Sequence, residues 1–433
     1  MINSTQVLSS PIRLKRAGRM RWRIAWVLFF STVTNYVSRQ SFSVLSPMIA
    51  AQYHLSHTDL AKILGAFQVA YAIAWLIGGI VLDSVGCRLG LAIAAIWWSV
   101  MNILTGLASS VFGFACCRFM LGIGEGFNWP GASKVVAEWF PDEERSVAVA
   151  IFDSGSSVGG ALAALAIPIV ALVFGWRWAF VAAGLLGFVW VAVWLRTYYP
   201  LHRHPRVTPE EVILIEEGHK TERGPSDGGI ARWLRLAKDR NLWGVVLGRA
   251  ISDPVWWFYV FWLPQYLSDA RGFSLQKISM FAWMPFVAAD IGNFSGGWVS
   301  GYCIRKGMSV TSARKAVCTV SCLPILAGIP AAIVHNEYFA LALICIALWG
   351  FASWSTMGLT LPSDLFPEEV VGSVTGLSGL AAGLIGAGFT MLVGLIVDAF
   401  SYRPAFLAAG IMPILATVFL YLLIRPPAKV SIP

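Results

Sequence analysis

Long apolar blocks, separated by short polar connections, set the pattern of this chain. Twelve of them reach spanning length, at roughly 22–50, 60–82, 89–110, 113–138, 145–173, 177–197, 241–268, 276–303, 314–334, 338–362, 370–397 and 403–424. A helix needs about 20 apolar residues to cross a bilayer, and hydrocarbon admits only helices or closed barrels. Strict alternation over segments of about 10 residues, the mark of a barrel, is absent. The pattern predicts an all-α polytopic membrane protein with twelve transmembrane helices.

One substantial hydrophilic segment, 198–240, divides these blocks into six and six. The expected organisation is a tail at 1–21, a six-helix half at 22–197, a linker at 198–240, a second six-helix half at 241–424 and a tail at 425–433. The linker is too small for a catalytic domain, and "TPEEVILIEEG" within it could form an amphipathic helix. The halves repeat. "WFPDEERS" has a counterpart in "LFPEEVVGS", and "GWRWAFVAAG" in "SYRPAFLAAG". Phe140 and Phe366 stand 226 residues apart, as do Ala179 and Ala405. Two matches at one offset imply pseudo-repeat halves related by an axis along the membrane normal, with a substrate site between them near the midplane.

Composition agrees. The chain has 433 residues, 57% hydrophobic and 13% charged, with a mean hydropathy of +0.68. Soluble domains carry roughly 25% charged residues. The formal net charge is +9, and its placement matters more than its size. Arg13, Lys15, Arg16, Arg19, Arg21 and Arg23 precede the first block. Arg203, Arg206, Lys220, Arg223, Arg232, Arg235, Lys238 and Arg240 fill the linker, and Arg305, Lys306, Arg314 and Lys315 the connection after the eighth block. The alternate loops hold little beyond Arg177, Arg271, Lys277 and Arg403. By the positive-inside rule both termini are expected in the cytoplasm of a multi-pass inner-membrane protein. The same charges are not read as a nucleic-acid site. Of the seven cysteines most fall inside helices, and none joins a His or Cys set that would hold a metal, so they read as small packing residues. The first apolar run is too long for a cleavable signal.

Between the second and third blocks stands "GGIVLDSVGCRLG". Gly79, Asp83, Gly86 and Arg88 fit G-x-x-x-D-x-x-G-x-R, the signature of the major facilitators. Physically, Gly79 would let helices approach closely and Gly86 would permit a tight turn. Asp83 would face a helix N-terminus or a cation, and Arg88 would pair with a carboxylate. Such pairs can latch one conformation. The matching stretch in the second half, "GGWVSGYCIRKGMS", puts Gly301 in place of the aspartate, so the first-half latch is expected to be the stronger.

Ionisable residues inside spanning helices are functional candidates, because an arginine at a helix centre costs on the order of 3 kcal/mol or more. Arg39 is the one full charge between Ile24 and Ala50. Arg118 and Glu125 lie two turns apart, on one helix face, roughly 10 Å from each other; Arg118 could instead snorkel to the outer end. Arg249 and Asp253 are one turn apart and can pair, structurally if nothing more. Asp153 and Asp290 sit in later helices. Buried arginines ask for an anion, since the guanidinium never loses its proton. A carboxyl group in apolar surroundings can load and unload a proton near neutral pH. The combination points to co-transport of an organic anion with H⁺. Glu125, Asp153 and Asp290 are the candidate proton carriers. Asn35, Tyr36, Gln68, Tyr71, Asn128 and Asn293 could bind hydroxyls, which suits a sugar acid, and "DPVWWFYVFWLPQYL" could pack on a sugar ring.

Over essentially its whole length the chain resembles the anion:cation symporter family of the major facilitators, most closely the hexuronate transporters. The resemblance rests on "EWFPDEERSVAV", "DSGSSVGG", "SDPVWWFYVFWLPQYL", "FAWMPFVAADIGN" and "GGWVSGYCIRKGMSVTSARK". It implies proton-driven uptake of glucuronate or galacturonate. It also implies that Tyr36, Arg39, Tyr71, Arg118 and Glu125 line the site, with Arg39 on the substrate carboxylate and Glu125 coupled to protonation. Many members carry an acid directly before the first-helix arginine. Here it is Ser38, as in hexuronate-type members, which shifts the coupling burden toward Glu125.

The expected partners are thus a small organic anion, H⁺ and the lipid bilayer, with no nucleic acid, no cofactor and a monomeric state. An aldonate, aldarate or aromatic-acid symporter is the alternative, and a membrane sensor of sugar acids a more distant one, since no signalling domain is attached. An enzyme is not expected: G-x-x-x-x-G-K, G-x-S-x-G and H-E-x-x-H are all absent.

Overall fold

The computed structural model describes residues 18–217, 236–366 and 368–425. The outer part of each tail and the middle of the linker, with Arg13, Lys15, Arg16, Lys220, Arg223, Arg232 and Arg235, lie outside the described residues. Every one of the twelve apolar runs is helical, and there is no strand among the described residues. The first half holds α1 (Met20–Tyr53), α2 (His57–Val85), α3 (Cys87–Thr105), α4 (Val111–Glu125), α5 (Asn128–Trp139), α6 (Asp142–Phe174) and α7 (Trp176–Thr197). The linker contributes α8 (Pro209–Glu217). The second half holds α9 (Arg240–Asp269), α10 (Leu275–Phe281), α11 (Met284–Arg305), α12 (Val310–Ile325), α13 (Gly328–Ala331), α14 (Glu337–Leu365), α15 (Glu368–Ala399) and α16 (Arg403–Leu423).

Three apolar runs are split into two helices, at Gly126–Phe127, Ala282–Trp283 and Leu326–Ala327. Each split is followed by a proline in the first turn of the second piece: Pro130, Pro285 and Pro330. A first turn does not need the missing N–H, so proline suits the start of each second piece, although Pro47, Pro254 and Pro362 lie inside helices that continue through them. Several other helix starts are capped by side chains, as at Ser56, where Asp59 completes a capping box. Gly86, at φ +82°, makes the turn from α2 into α3 that a side chain would oppose.

Among the described residues, eight spans are long and apolar enough to cross a membrane by length and composition. The four remaining runs are α1, α4–α5, α9 and α10–α11, and these carry Arg39, Arg118 with Glu125, Arg249 with Asp253, and Asp290. The bundle is apolar outward and mixed inward. Ile93, Val189, Phe294, Trp298 and Leu323 are exposed on its outside, while Arg39, Gln68, Arg118 and Glu125 are fully buried. That inversion suits a solvent of lipid tails.

α1 packs along α6 and α2 along α4; α9 packs along α15 and α11 along α14. Between the halves, α2 lies against α15, α1 against α9, and α6 against α10 and α11. In the linker, the buried Glu211 of α8 accepts from the backbone N–H of Met20 at 3.3 Å and of Arg21 at 3.1 Å. It thereby caps the orphan donors at the start of α1. Arg21 in turn bridges Glu211 and Glu144 at the start of α6.

Candidate functional site

A cavity of about 170 Å³ lies between the halves. From the first half it is lined by Tyr36, Arg39, Tyr71, Trp75, Trp129 and Asp153; from the second by Arg249, Asp253, Trp256, Trp257 and Asn293, among others. Its floor is built around Arg39. The guanidinium Nε donates to Glu125 Oε2 at 2.9 Å, and Nη2 donates to Asn35 Oδ1 at 3.0 Å. The rings of Tyr36 and Tyr71 lie 4.5 Å on either count from Cζ, and Trp257 lies at 5.5 Å. Arginine over aromatic faces in a desolvated site is a favourable contact of about 2 kcal/mol or more.

Glu125 is the last residue of α4, immediately before the break at Gly126. The close approach that brings it to Arg39 depends on glycines: a Cβ at Gly122 would stand 2.5 Å from the Phe67 carbonyl. Arg118 does not snorkel. It is fully buried, and its Nη2 donates to the Arg39 carbonyl at 3.0 Å. Among the described residues its Nε and Nη1, and Glu125 Oε1, have no hydrogen-bond partner. With Glu125 ionised, the three side chains carry one net positive charge, which an anion would satisfy.

The structure brings together Tyr36, Arg39 and Tyr71 on the wall, with Glu125 and Arg118 directly behind Arg39. It does not bring Asn128 there. The Asn128 amide accepts from Ser31 Oγ at 2.6 Å and donates to Thr32 Oγ1 at 3.2 Å, tying α5 to α1, and it is absent from the lining. Asp153 does line the cavity and accepts from Trp129 Nε1 at 3.1 Å. Asp290 is half-buried on α11, off the cavity wall. Arg249 and Asp253 pair as their spacing predicts, with Nε at 3.2 Å and Nη2 at 3.0 Å from Oδ2.

The loop signature reads differently in three dimensions. Asp83 meets a cation, Lys134 of α5, at 2.5 Å. Arg88 meets no carboxylate among the described residues: its Nη2 donates to the Leu195 carbonyl at 2.8 Å and its guanidinium lies 3.9 Å from the Tyr199 ring centre. A Cβ at Gly79 would have open space around it, so no close helix approach depends on that glycine. In the second half Arg314 bonds Asp364 at 2.9 Å. These two residues stand 226 positions after Arg88 and Glu138, the offset that relates the halves. In the first half the Glu138 carboxylate instead accepts from Tyr198 Oη at 2.7 Å and from the Leu201 N–H at 3.1 Å. The offset relates the two positions, but only the second half forms the ion pair.

Access to the cavity is set at the bundle ends. At the end away from the described chain termini, the halves are fastened. His57 at the start of α2 holds Asp398 and Asp269, with ring nitrogens 2.8 Å and 2.9 Å from the carboxylate oxygens. Thr58 adds a backbone donor at 2.7 Å to Asp398, and Ser46 donates to Gln265 at 3.0 Å. Histidine-carboxylate contacts of this kind cannot be read from a lone His in sequence, because its partners lie more than 200 positions away. Toward the other end, side chains added at Gly372 and Gly376 of α15 would meet nothing within 4 Å.

The Major Facilitator Superfamily model matches residues 28–391. The chain is 29% identical to the hexuronate transporter of Escherichia coli, over 97% of both chains. It is 31% identical to the galacturonate transporter of Dickeya chrysanthemi, over 75% of this chain and 94% of that one. Among solved structures, a bacterial homolog of the human lysosomal transporter Spinster, inward-facing and unoccupied, superposes with a TM-score of 0.72 at 19% identity, covering 93% of this chain and 95% of that one.

Proposed function

This chain belongs to the Major Facilitator Superfamily, and we propose that it is a proton-coupled symporter of hexuronates such as glucuronate and galacturonate. It is a multi-pass membrane transporter and not an enzyme. On our reading it works as a monomer in the inner membrane, with both termini cytoplasmic. The 22–197 and 241–424 halves rock about the central cavity. The observation that carries the reading is the Arg39–Glu125 pair, held between Tyr36 and Tyr71 at the cavity wall.

One cation serves two carboxylates in turn. While Glu125 is ionised it holds Arg39. A proton on Glu125 cancels that attraction, and Arg39 is free for the substrate carboxylate, which it takes with its planar fork. Proton and anion therefore load together. When the anion leaves, Glu125 gives up its proton and closes on Arg39 again, the arrangement seen here. Arg118 stays behind the pair and keeps the cluster positive. Tyr36 and Tyr71 orient the ligand, and the indoles of Trp75, Trp129, Trp256 and Trp257 offer faces for the sugar ring. In this orientation the His57 end faces outward and is closed, while the cavity opens inward.

The test is uptake of labelled galacturonate by proteoliposomes. Accumulation driven by external acid, and collapsed by a protonophore, supports the proposal. Uptake indifferent to the proton gradient makes the protein a facilitator or an exchanger. The aromatic lining favours one second reading, a small aromatic acid, and displacement of galacturonate by benzoate derivatives would support it.

A further inference from the structure

The cavity wall carries charge unevenly. Arg39 stands at one side, backed by Arg118. Across the Trp129 indole, whose ring centre is 5.9 Å from that of Tyr36, lies Asp153. Asp153 has no ion pair among the described residues. Asp253 stands one turn before Trp257 on α9, about 6 Å along the helix, and Trp257 is the second-half ring nearest Arg39. Asp253 is matched by Arg249, and the pair is neutral. The Arg249 Nε and Nη2 go to Asp253 Oδ2, and its Nη1 donates to Ser378 Oγ at 3.0 Å.

We propose that Asp153 and Asp253 are specificity-determining residues that restrict this site to monocarboxylates and reject sugar diacids. A ligand anchored by one carboxylate on Arg39 presents its far end to Asp153 and to the Arg249–Asp253 pair. A hydroxylated end suits that wall, because carboxylate oxygens accept from hydroxyls. A second carboxylate meets an unpaired acid and a cation already neutralised, and like charges face to face are strongly unfavourable. Specificity here comes from the repulsive element. The same geometry predicts how to reverse it: removing the charge of Asp253 unmasks Arg249 as a second anion site.

This inference rests on the sugar-acid reading above, and the test separates the two. Glucuronate and glucarate share six carbons and differ by one carboxylate. Binding of each to the purified full-length protein is measured by ligand-induced thermal shift and by competition for galacturonate uptake. Wild type is expected to bind glucuronate, with glucarate weaker by about tenfold or more. Asp253→Asn is expected to move that ratio toward glucarate by about tenfold, and Asp153→Asn to narrow it. If Asp253→Asn does not fold, the change in ratio in Asp153→Asn decides. Equal binding of the two acids by wild type overturns the inference and leaves the transport reading standing, as does a ratio unmoved in the variants. Binding of neither acid by wild type overturns both.

Discussion

His57 Nδ1 sits 2.8 Å from Oδ1 of Asp398, joining the start of α2 to the end of α15 across the two halves. The same ring reaches Asp269 through its other nitrogen, so one imidazole holds two acids of the opposite half. Partly exposed ion pairs contribute about 0–1 kcal/mol each. Two of them matter for a two-state equilibrium, because 1 kcal/mol is about a fivefold change in population. His57→Ala is therefore expected to raise the share of molecules open at this end by about fivefold. A cysteine placed at Ser43, buried about one turn beneath Ser46 on α1 and outside the fastening, should become correspondingly more reactive to an impermeant thiol reagent. Unchanged reactivity would show that Thr58 and Ser46 hold the end alone.

The Arg39–Glu125 pair makes two opposed predictions. Arg39→Lys keeps the charge but loses the planar fork, and galacturonate affinity should fall by about 30-fold or more, corresponding to about 2 kcal/mol. Glu125→Gln resembles the protonated acid. It leaves Arg39 free, so counterflow exchange should continue while accumulation driven by a proton gradient disappears. Uptake by this variant should be flat with external pH, where wild-type uptake is expected to rise on acidification. Retained proton-driven accumulation would remove Glu125 from the coupling.

Gly122 tests the scaffold rather than the chemistry. A Cβ there would meet the Phe67 carbonyl at 2.5 Å and the Ala70 Cβ at 3.0 Å. Neither backbone nor Cβ can swing aside, so α4 must withdraw from α2. Gly122→Ala is expected to cost about 1–3 kcal/mol, read as a lower melting temperature in detergent. It should also weaken substrate binding, since the shift separates Arg118 and Glu125 from Arg39.

Asp83 and Lys134 form an exposed pair whose stability contribution is about 1 kcal/mol or less. Asp83→Asn should insert and melt like wild type yet transport more slowly. Wild-type transport by Asp83→Asn would deny the pair a role in the conformational cycle.

Much of this was legible in the chain. Uninterrupted apolar runs without strict alternation report helices directly, because lipid otherwise admits only closed barrels. Arg39, Arg118 and Glu125 stood out for the same reason: a charge in such a run needs a partner. What the pattern hid was who the partners are. Asn128 looked like a pocket residue, but the break before it aims its amide at Ser31 and Thr32. Arg88 looked like half of an ion pair, but the Leu195 carbonyl and the Tyr199 ring take it. Gly79 looked like a close-packing residue and faces open space. His57 carries no signal in the sequence, because its environment is made by residues distant along the chain. Single-residue chemistry is local; the choice of partner is decided by the packing of helices.

The capping of α1 by Glu211 has a practical side. It fastens the linker helix to the first half through Met20, Arg21 and Glu144, so α8 travels with that half as one rigid lever. A fluorophore on the exposed Glu216, paired with one on the exposed Arg305 of the second half, would serve as a ruler for the working stroke. It would read the turnover of single molecules without touching any residue of the cavity.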